Sequence, residues 1–211
     1  MQRLHALLFD VWREACQHIE IATSVSRIAR LLEERVQIRG VLVRRIDHER
    51  RTLETVASSP PSSVEGAEEA RLELTAAAFE DLLDWCGHRA LFRSSSGQEA
   101  PNGVLPPGID DEVLAGPLTV EGRAAGVLVL IADRGRHFDR EDESVILALL
   151  DPFSTALEND RRLREMATLR QAAEADKLSA LTRLGRTSLT ADIVGAELGL
   201  RPVLQRVDLV A

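Results

Sequence analysis

The sequence predicts an α+β fold: an antiparallel sheet flanked by helices from both ends of the chain. Three observations predict it. Apolar residues recur at helical spacing from Leu4 to Val36. Two segments, 41–56 and 113–132, read as hairpins. A strong helical stripe (Val145, Ile146, Leu149, Leu150, Phe153, Leu157) then follows the second hairpin.

The first helical region carries Leu4, Leu7, Leu8, Val11, Trp12, Ala15 and Ile19 on one face. Thr23 and Ser24 offer a new N-cap, and Val25, Ile28, Ala29, Leu32 and Val36 repeat the stripe, so the region is one broken helix or two in succession. Gly40 is expected to end it. Val41–Ile46 and Thr52–Val56 flank the polar turn Asp47-His48-Glu49-Arg50, with Arg44 and Arg45 inside the first apolar run. Residues 58–70, rich in Ser, Pro and acid, are expected to form a loop. A helix is predicted from Thr75 to about Cys86, then a short strand at Leu91-Phe92 and a second loop over 94–108. In the second hairpin an edge-like strand joins, through Glu121-Gly122-Arg123, a strand (Gly126–Ile131) apolar on both faces and so expected at the sheet centre. Asp139 is the expected N-cap of the last long helix, with Asp142 and Glu143 favouring the positive end of its dipole. Pro152 is expected to kink or locally open that helix. Beyond Asn159 the pattern thins to a weak heptad seam: Leu163, Arg170, Lys177 and Leu184, with Met166, Ala173 and Ala180. Gly185 is expected to close it.

Composition excludes several classes. Hydrophobic residues are 45% and charged residues 28%, which excludes wholesale disorder. The apolar run 124–132 is far shorter than the roughly 20 residues of a membrane helix. Asp10 and Arg13 break the N-terminal apolar segment, so no export signal is readable and a cytoplasmic location is expected. The net charge of −8 argues against direct nucleic-acid contact. Cys16 and Cys86 form no C-x-x-C pair, so free thiols are expected. None of the five histidines pairs at helical spacing with another suitable ligand, so no metal site is expected and no cofactor is named. His88 and Arg89 next to Cys86 would favour its thiolate, which leaves a redox sensor as one reading.

Pro117-Leu118, Gly122, Gly126-Val127-Leu128, Phe138, Asp142, Leu149 and Ala156-Leu157-Glu158-Asn159 resemble the second half of a GAF domain, and the order of elements fits its first half. The resemblance implies an α/β/α sandwich with a GAF-like central antiparallel sheet and a long C-terminal linker helix. Ile193-Val194-Gly195, Leu200-Arg201, Val203-Leu204, Val207 and Val210-Ala211 resemble the start of a sigma-54-dependent AAA+ domain, although Glu197-Leu198 replaces its usual Ser-Pro. The implied organisation is a sensor domain over 1–159, a helical linker over 160–189 and an N-terminal AAA+ stub over 190–211. No G-x-x-x-x-G-K-[ST] loop occurs, so ATPase activity is not expected of these residues, and contact with sigma-54 polymerase would require the rest of an AAA+ domain.

The resemblance further implies a small-molecule pocket on one sheet face, closed by residues 60–108. There Trp85, His88, Arg89, Phe92 and Arg93 form an aromatic and cationic set suited to an anionic or planar ligand, the alternative being two core aromatics and solvated arginines. It also implies a homodimer built from the first and last helices, with Leu4, Leu8, Trp12, Phe153, Leu157, Leu163 and Met166 as its signalling residues, the alternative being that these faces cover the domain's own sheet. A ligand-free interaction and dimerisation module remains the other functional reading. Phe138, Asp142 and Glu143 resemble the end of the motif of cyclic-nucleotide-binding GAF domains, but Asp133-Arg134 stands where that motif has Asn-Lys, and helix capping accounts for the acids.

Overall fold

A computed structural model describes residues 2–17, 21–59, 71–96, 100–101, 103–105, 109 and 111–191. Two helices, α1 (Gln2–Gln17) and α2 (Ile21–Val36), precede the hairpin of β1 (Ile38–Asp47) and β2 (Thr52–Ser59). A short β3 (Arg71–Glu73), α3 (Ala76–His88) and a two-residue β4 (Phe92–Arg93) follow. The second hairpin is β5 (Val113–Val120) and β6 (Arg123–Ala132), and α4 runs from Arg140 to Ala191. The six strands form one antiparallel sheet in the order β3-β2-β1-β6-β5-β4. The chain divides into two units, residues 1–163 and 164–211.

Alternation along the strands builds two cores. Val41 and Val43 of β1, Leu128 and Leu130 of β6, and Leu114 and Leu118 of β5 pack under α1, α2 and the first turns of α4. Leu42 and Ile46, Val127, Val129 and Ile131, and Val113 and Ala115 face the other way, toward α3. β6 is therefore central and covered on both faces, as its sequence predicts. Each large apolar side chain so enclosed contributes roughly 1.5–3 kcal/mol relative to exposure.

Local signals set most boundaries. Thr75 caps α3, its Oγ1 accepting from the Ala78 N–H at 3.3 Å. Asp139 caps α4 by accepting from the Glu141 and Asp142 N–H groups at 2.8 and 3.0 Å. Asp142 reaches back to the Asp139 N–H at 2.9 Å, a reciprocal box, and takes two bonds from Arg136.

Three expectations change. Gly40 does not end the helical region: it lies buried inside β1, and the chain turns at Gln37, whose φ is 48°. β5 is not an edge, because β4 pairs with it at Leu114 and Ala115. Pro152, where a kink or local opening is expected, lies buried inside α4 without ending it. The helix also continues past Gly185 to Ala191, since one helical glycine costs only about 1 kcal/mol. The AAA+-like residues 193–211 lie outside the described residues.

Candidate functional site

The α3-facing side of the sheet holds one residue unlike the rest of its core. Leu42, Arg44 and Ile46 alternate onto that face of β1, so strand geometry carries the guanidinium of Arg44 into an apolar layer. The register shifts between Val43 and Arg44: Val43 pairs with Ala57 and Arg44 with Thr55, so Val56 is the extra residue of a bulge. Arg44 is 1% exposed and heads the fully buried side chains by volume. Its Nη2 donates to the Leu53 carbonyl at 3.3 Å and its Nη1 donates to the carbonyl of Gly103. Burial pushes its pKa down to about 10, which still leaves it charged at neutral pH.

Two neighbours complete this environment. Thr55, directly across from Arg44, is 7% exposed, and its hydroxyl has no hydrogen-bond partner. The segment 103–105 closes over the face: Val104 is fully buried in the α3-side core, and its N–H donates to the Pro101 carbonyl at 3.0 Å. Gly103 lies so close to β3 and its flank that a Cβ would meet Leu72 Cδ2 at 2.8 Å.

On the opposite face of the same strand, Arg45 donates to Glu54 at 2.7 Å and lies 3.9 Å from Asp160 of α4. Asp160 is buried on α4 just before Leu163. One dipeptide of β1 thus bonds to the loop closing one face and pairs with the helix leaving the other.

The predicted ligand set is divided by the fold. Trp85 is half-buried and Phe92 buried in the α3-side core. His88 and Arg89 sit at the C-terminal end of α3, both exposed, because the helix ends there with Arg89 at φ 51°. The His88 Nδ1–H donates to the Asp84 carbonyl at 2.8 Å, and Arg89 lies 3.6 Å from Asp151 of α4. Arg93 donates to the Phe138 carbonyl at 3.0 Å and lies 3.4 Å from Glu143. The two arginines therefore turn toward α4 and its approach, His88 folds back onto α3, and the two aromatics turn into the core. Sequence reasoning missed Arg44 as a site residue; its signal was a charge inside an apolar strand run.

Cys86 is 1% exposed, and burial pushes its thiol up to about 12. This is opposite to the thiolate that His88 and Arg89 were expected to favour, because both bond elsewhere. A second polar cluster stands at the β4–β5 margin. The Glu112 carboxylate accepts from Ser95 and from the His137 Nδ1–H, both at 2.5 Å. Burial pushes Glu112 upward, but the bonds from Ser95 and His137 and the His137 charge outweigh it and leave its pKa lowered. Among the described residues no group of three His, Cys, Asp or Glu is placed to hold a metal.

The expected dimer residues also separate. Phe153 and Leu157 are buried inside the core, at 0% and 2% exposure, because α4 lays its apolar face on the sheet. Trp12, Leu163 and Met166 are exposed, and Leu8 is half-buried; Phe9, outside the expected set, is exposed as well. The Leu4 side chain lies outside the described residues. No described helix is long and apolar enough to cross a membrane.

No protein-family model and no curated protein matches the chain. Solved structures do. The GAF domain of an Acinetobacter phosphoenolpyruvate-protein phosphotransferase aligns at TM-score 0.57 and 17% identity, over 77% of this chain and 96% of that one. Free methionine-R-sulfoxide reductase from Neisseria meningitidis, in complex with its substrate, aligns at 0.55 and 15%, over 76% and 91%. The A. aeolicus nlh2 GAF domain in an inactive state aligns at 0.52 and 11%, over 74% and 96%. Together with the strand order and the helices on both faces, these likenesses show that the chain has a GAF-like fold.

Proposed function

We propose that this chain is the signal-sensing, dimerising regulatory region of a sigma-54-dependent transcription activator. It binds a small molecule or a partner on the α3 side of the sheet and relays that state through α4 to an AAA+ ATPase domain. The observation that carries this reading is the Arg44-Arg45 dipeptide. Arg44 bonds to the loop closing the ligand-side face, and Arg45 lies beside Asp160 on the output helix. A change in the 103–105 segment therefore reaches α4 across a single strand. The likeness of residues 193–211 to an AAA+ start supports the activator context. The substrate-bound reductase of similar fold supports a small-molecule site. Exposed Phe9, Trp12, Leu163 and Met166 supply apolar surface for a two-fold helix pairing in the cytoplasm. Coupling of this kind typically amounts to about 1–3 kcal/mol.

The seam is interrupted by Arg170 and Lys177, which suits a helix pair with two available registers. Arg170→Leu with Lys177→Leu should tighten the dimer in sedimentation equilibrium. Unchanged association would remove the relay from the proposal. A ligand-free interaction module is the second reading, favoured by the packing of Phe79, Leu82, Cys86 and Val104 on the α3 side. Native mass spectrometry separates the two: a dimer retaining added mass supports the sensor, and a dimer that stays clean after incubation with cell metabolites supports the module.

A further inference from the structure

We propose that Arg44 and Thr55 form the recognition point for the carboxylate of a small molecule, which binds by taking the place of the Gly103 carbonyl on Arg44. This rests on the sensor reading above and narrows its ligand. The two residues face each other across the β1–β2 pair, on the sheet face beneath residues 103–105. Directly opposed residues hold their Cβ atoms roughly 4.5–5.5 Å apart, and the Arg44 fork bonds the Leu53 carbonyl, two residues from Thr55 on the same strand. Arg44 supplies a planar donor fork, the geometry that carboxylates accept in pairs of parallel bonds. Thr55 supplies a buried hydroxyl with no present partner, oriented from the same face. A buried hydroxyl left unbonded is costly, and a ligand oxygen that accepts from it removes that cost.

The surroundings select the ligand's charge. Leu42, Ile46, Leu53 and Val127 wall this part of the face. In such a layer a monoanion balances one guanidinium, whereas a phosphate dianion brings a second buried charge at a much larger desolvation cost. The Gly103 carbonyl occupies the guanidinium as a neutral acceptor, and a carboxylate replaces its partial charge with a full one. The α-carbon of Gly103 lies close against Leu72 and Leu74, so a Cβ there would meet their Cδ2 atoms at 2.8 and 3.1 Å. Its release shifts Val104 in the α3-side core, which couples binding to the fold.

The test uses the full chain carrying 15N-labelled arginine. The Arg44 side-chain resonance, assigned with Arg44→Lys, is followed during titration with the monoanions acetate, lactate, butyrate and benzoate against chloride at matched ionic strength. At least one carboxylate should move that resonance saturably, and inorganic phosphate should not. Thr55→Val, close to isosteric and therefore expected to fold, should weaken that affinity about tenfold, the size of one lost buried bond. The proposal is overturned if none of the four moves Arg44, if phosphate alone does, or if Thr55→Val binds as the parent does. Sedimentation on the same samples separates the two readings. Carboxylate binding at Arg44 with unchanged association supports this site and counts against the relay. Association changed by a compound that leaves Arg44 unmoved overturns this site and leaves the relay standing.

Discussion

Gly126→Ala tests the packing on which both faces of the sheet depend. Gly126 pairs with Arg45 across the β1–β6 ladder. A Cβ there would lie 2.3 Å from the Arg44 carbonyl oxygen and 2.7 Å from Leu157 Cδ2. Carbon and carbonyl oxygen ordinarily approach no closer than roughly 3.3 Å, so β1 and β6 would have to separate by about 1 Å at this point. The obstacle is backbone in a central strand, and it cannot rotate away. Overpacking of this kind costs about 1–3 kcal/mol, and each ladder bond pulled out of reach adds about 1–3 kcal/mol. The alanine's smaller unfolded-state entropy returns only about 0.4–1 kcal/mol. The net loss is about 2–4 kcal/mol, or a Tm lower by roughly 5–15 °C for a unit of this size. Thermal and urea unfolding followed by circular dichroism measure it. Gly116→Ala is the control: its Cβ would meet Leu150 Cδ2 at 2.7 Å and Leu91 Cδ2 at 3.0 Å, both ends of side chains that can yield. Its loss should stay near 1 kcal/mol, at the low end of overpacking. A Tm change below about 2 °C for Gly126→Ala, or equal losses at both glycines, would refute the argument from backbone contact.

Other outcomes follow from the same geometry. In a Cys16→Ser background, Cys86 should react with iodoacetamide about a thousand times more slowly than an ordinary thiol at pH 8, because a thiol raised to about 12 is almost wholly protonated; rapid labelling of the folded protein would restore the redox reading. Leu157→Ala should cost about 2–5 kcal/mol of stability through a core cavity, with dimer affinity unchanged in sedimentation; a weaker dimer at full stability would return Leu157 to the interface. Glu112, with its lowered pKa, contributes stability that is complete above the ordinary glutamate range and is lost as pH falls through its folded value. His137→Ala removes one of the groups that lower it, so the acid-unfolding midpoint should move to higher pH by an amount worth less than about 1 kcal/mol, since His137 is exposed; a midpoint that stays in place would show that Ser95 and the Phe138 N–H hold the carboxylate without His137.

Much of the fold was legible because its signals are local. The stripe from Val145 to Leu157, the Thr75 and Asp139 caps and the Glu121-Gly122 turn each act within a few residues, and each is where its sequence places it. The turn at Gln37 was hidden because a left-handed φ at a non-glycine residue leaves no compositional mark. β4 was hidden as a partner of β5 because two residues carry no period.

The candidate site was less legible for the same reason in reverse. Trp85, His88, Arg89, Phe92 and Arg93 are close in sequence, but the end of α3 exposes His88 and Arg89, and the alternation of β4 buries Phe92 while Arg93 turns to Phe138 and Glu143. Arg44, Thr55 and Gly103 are far apart in sequence, and only the β1–β2 register and the fold of the 103–105 segment assemble them. By itself the sequence determined the two-sided sheet, its covering helices and the apolar faces, because strand and helix periods are properties of consecutive residues. Only the tertiary structure decided that Phe153 and Leu157 are core, that Cys86 is a shielded thiol, and that a buried arginine stands opposite an unbonded threonine. Burial and side-chain convergence depend on which strands pair, and no local pattern encodes that.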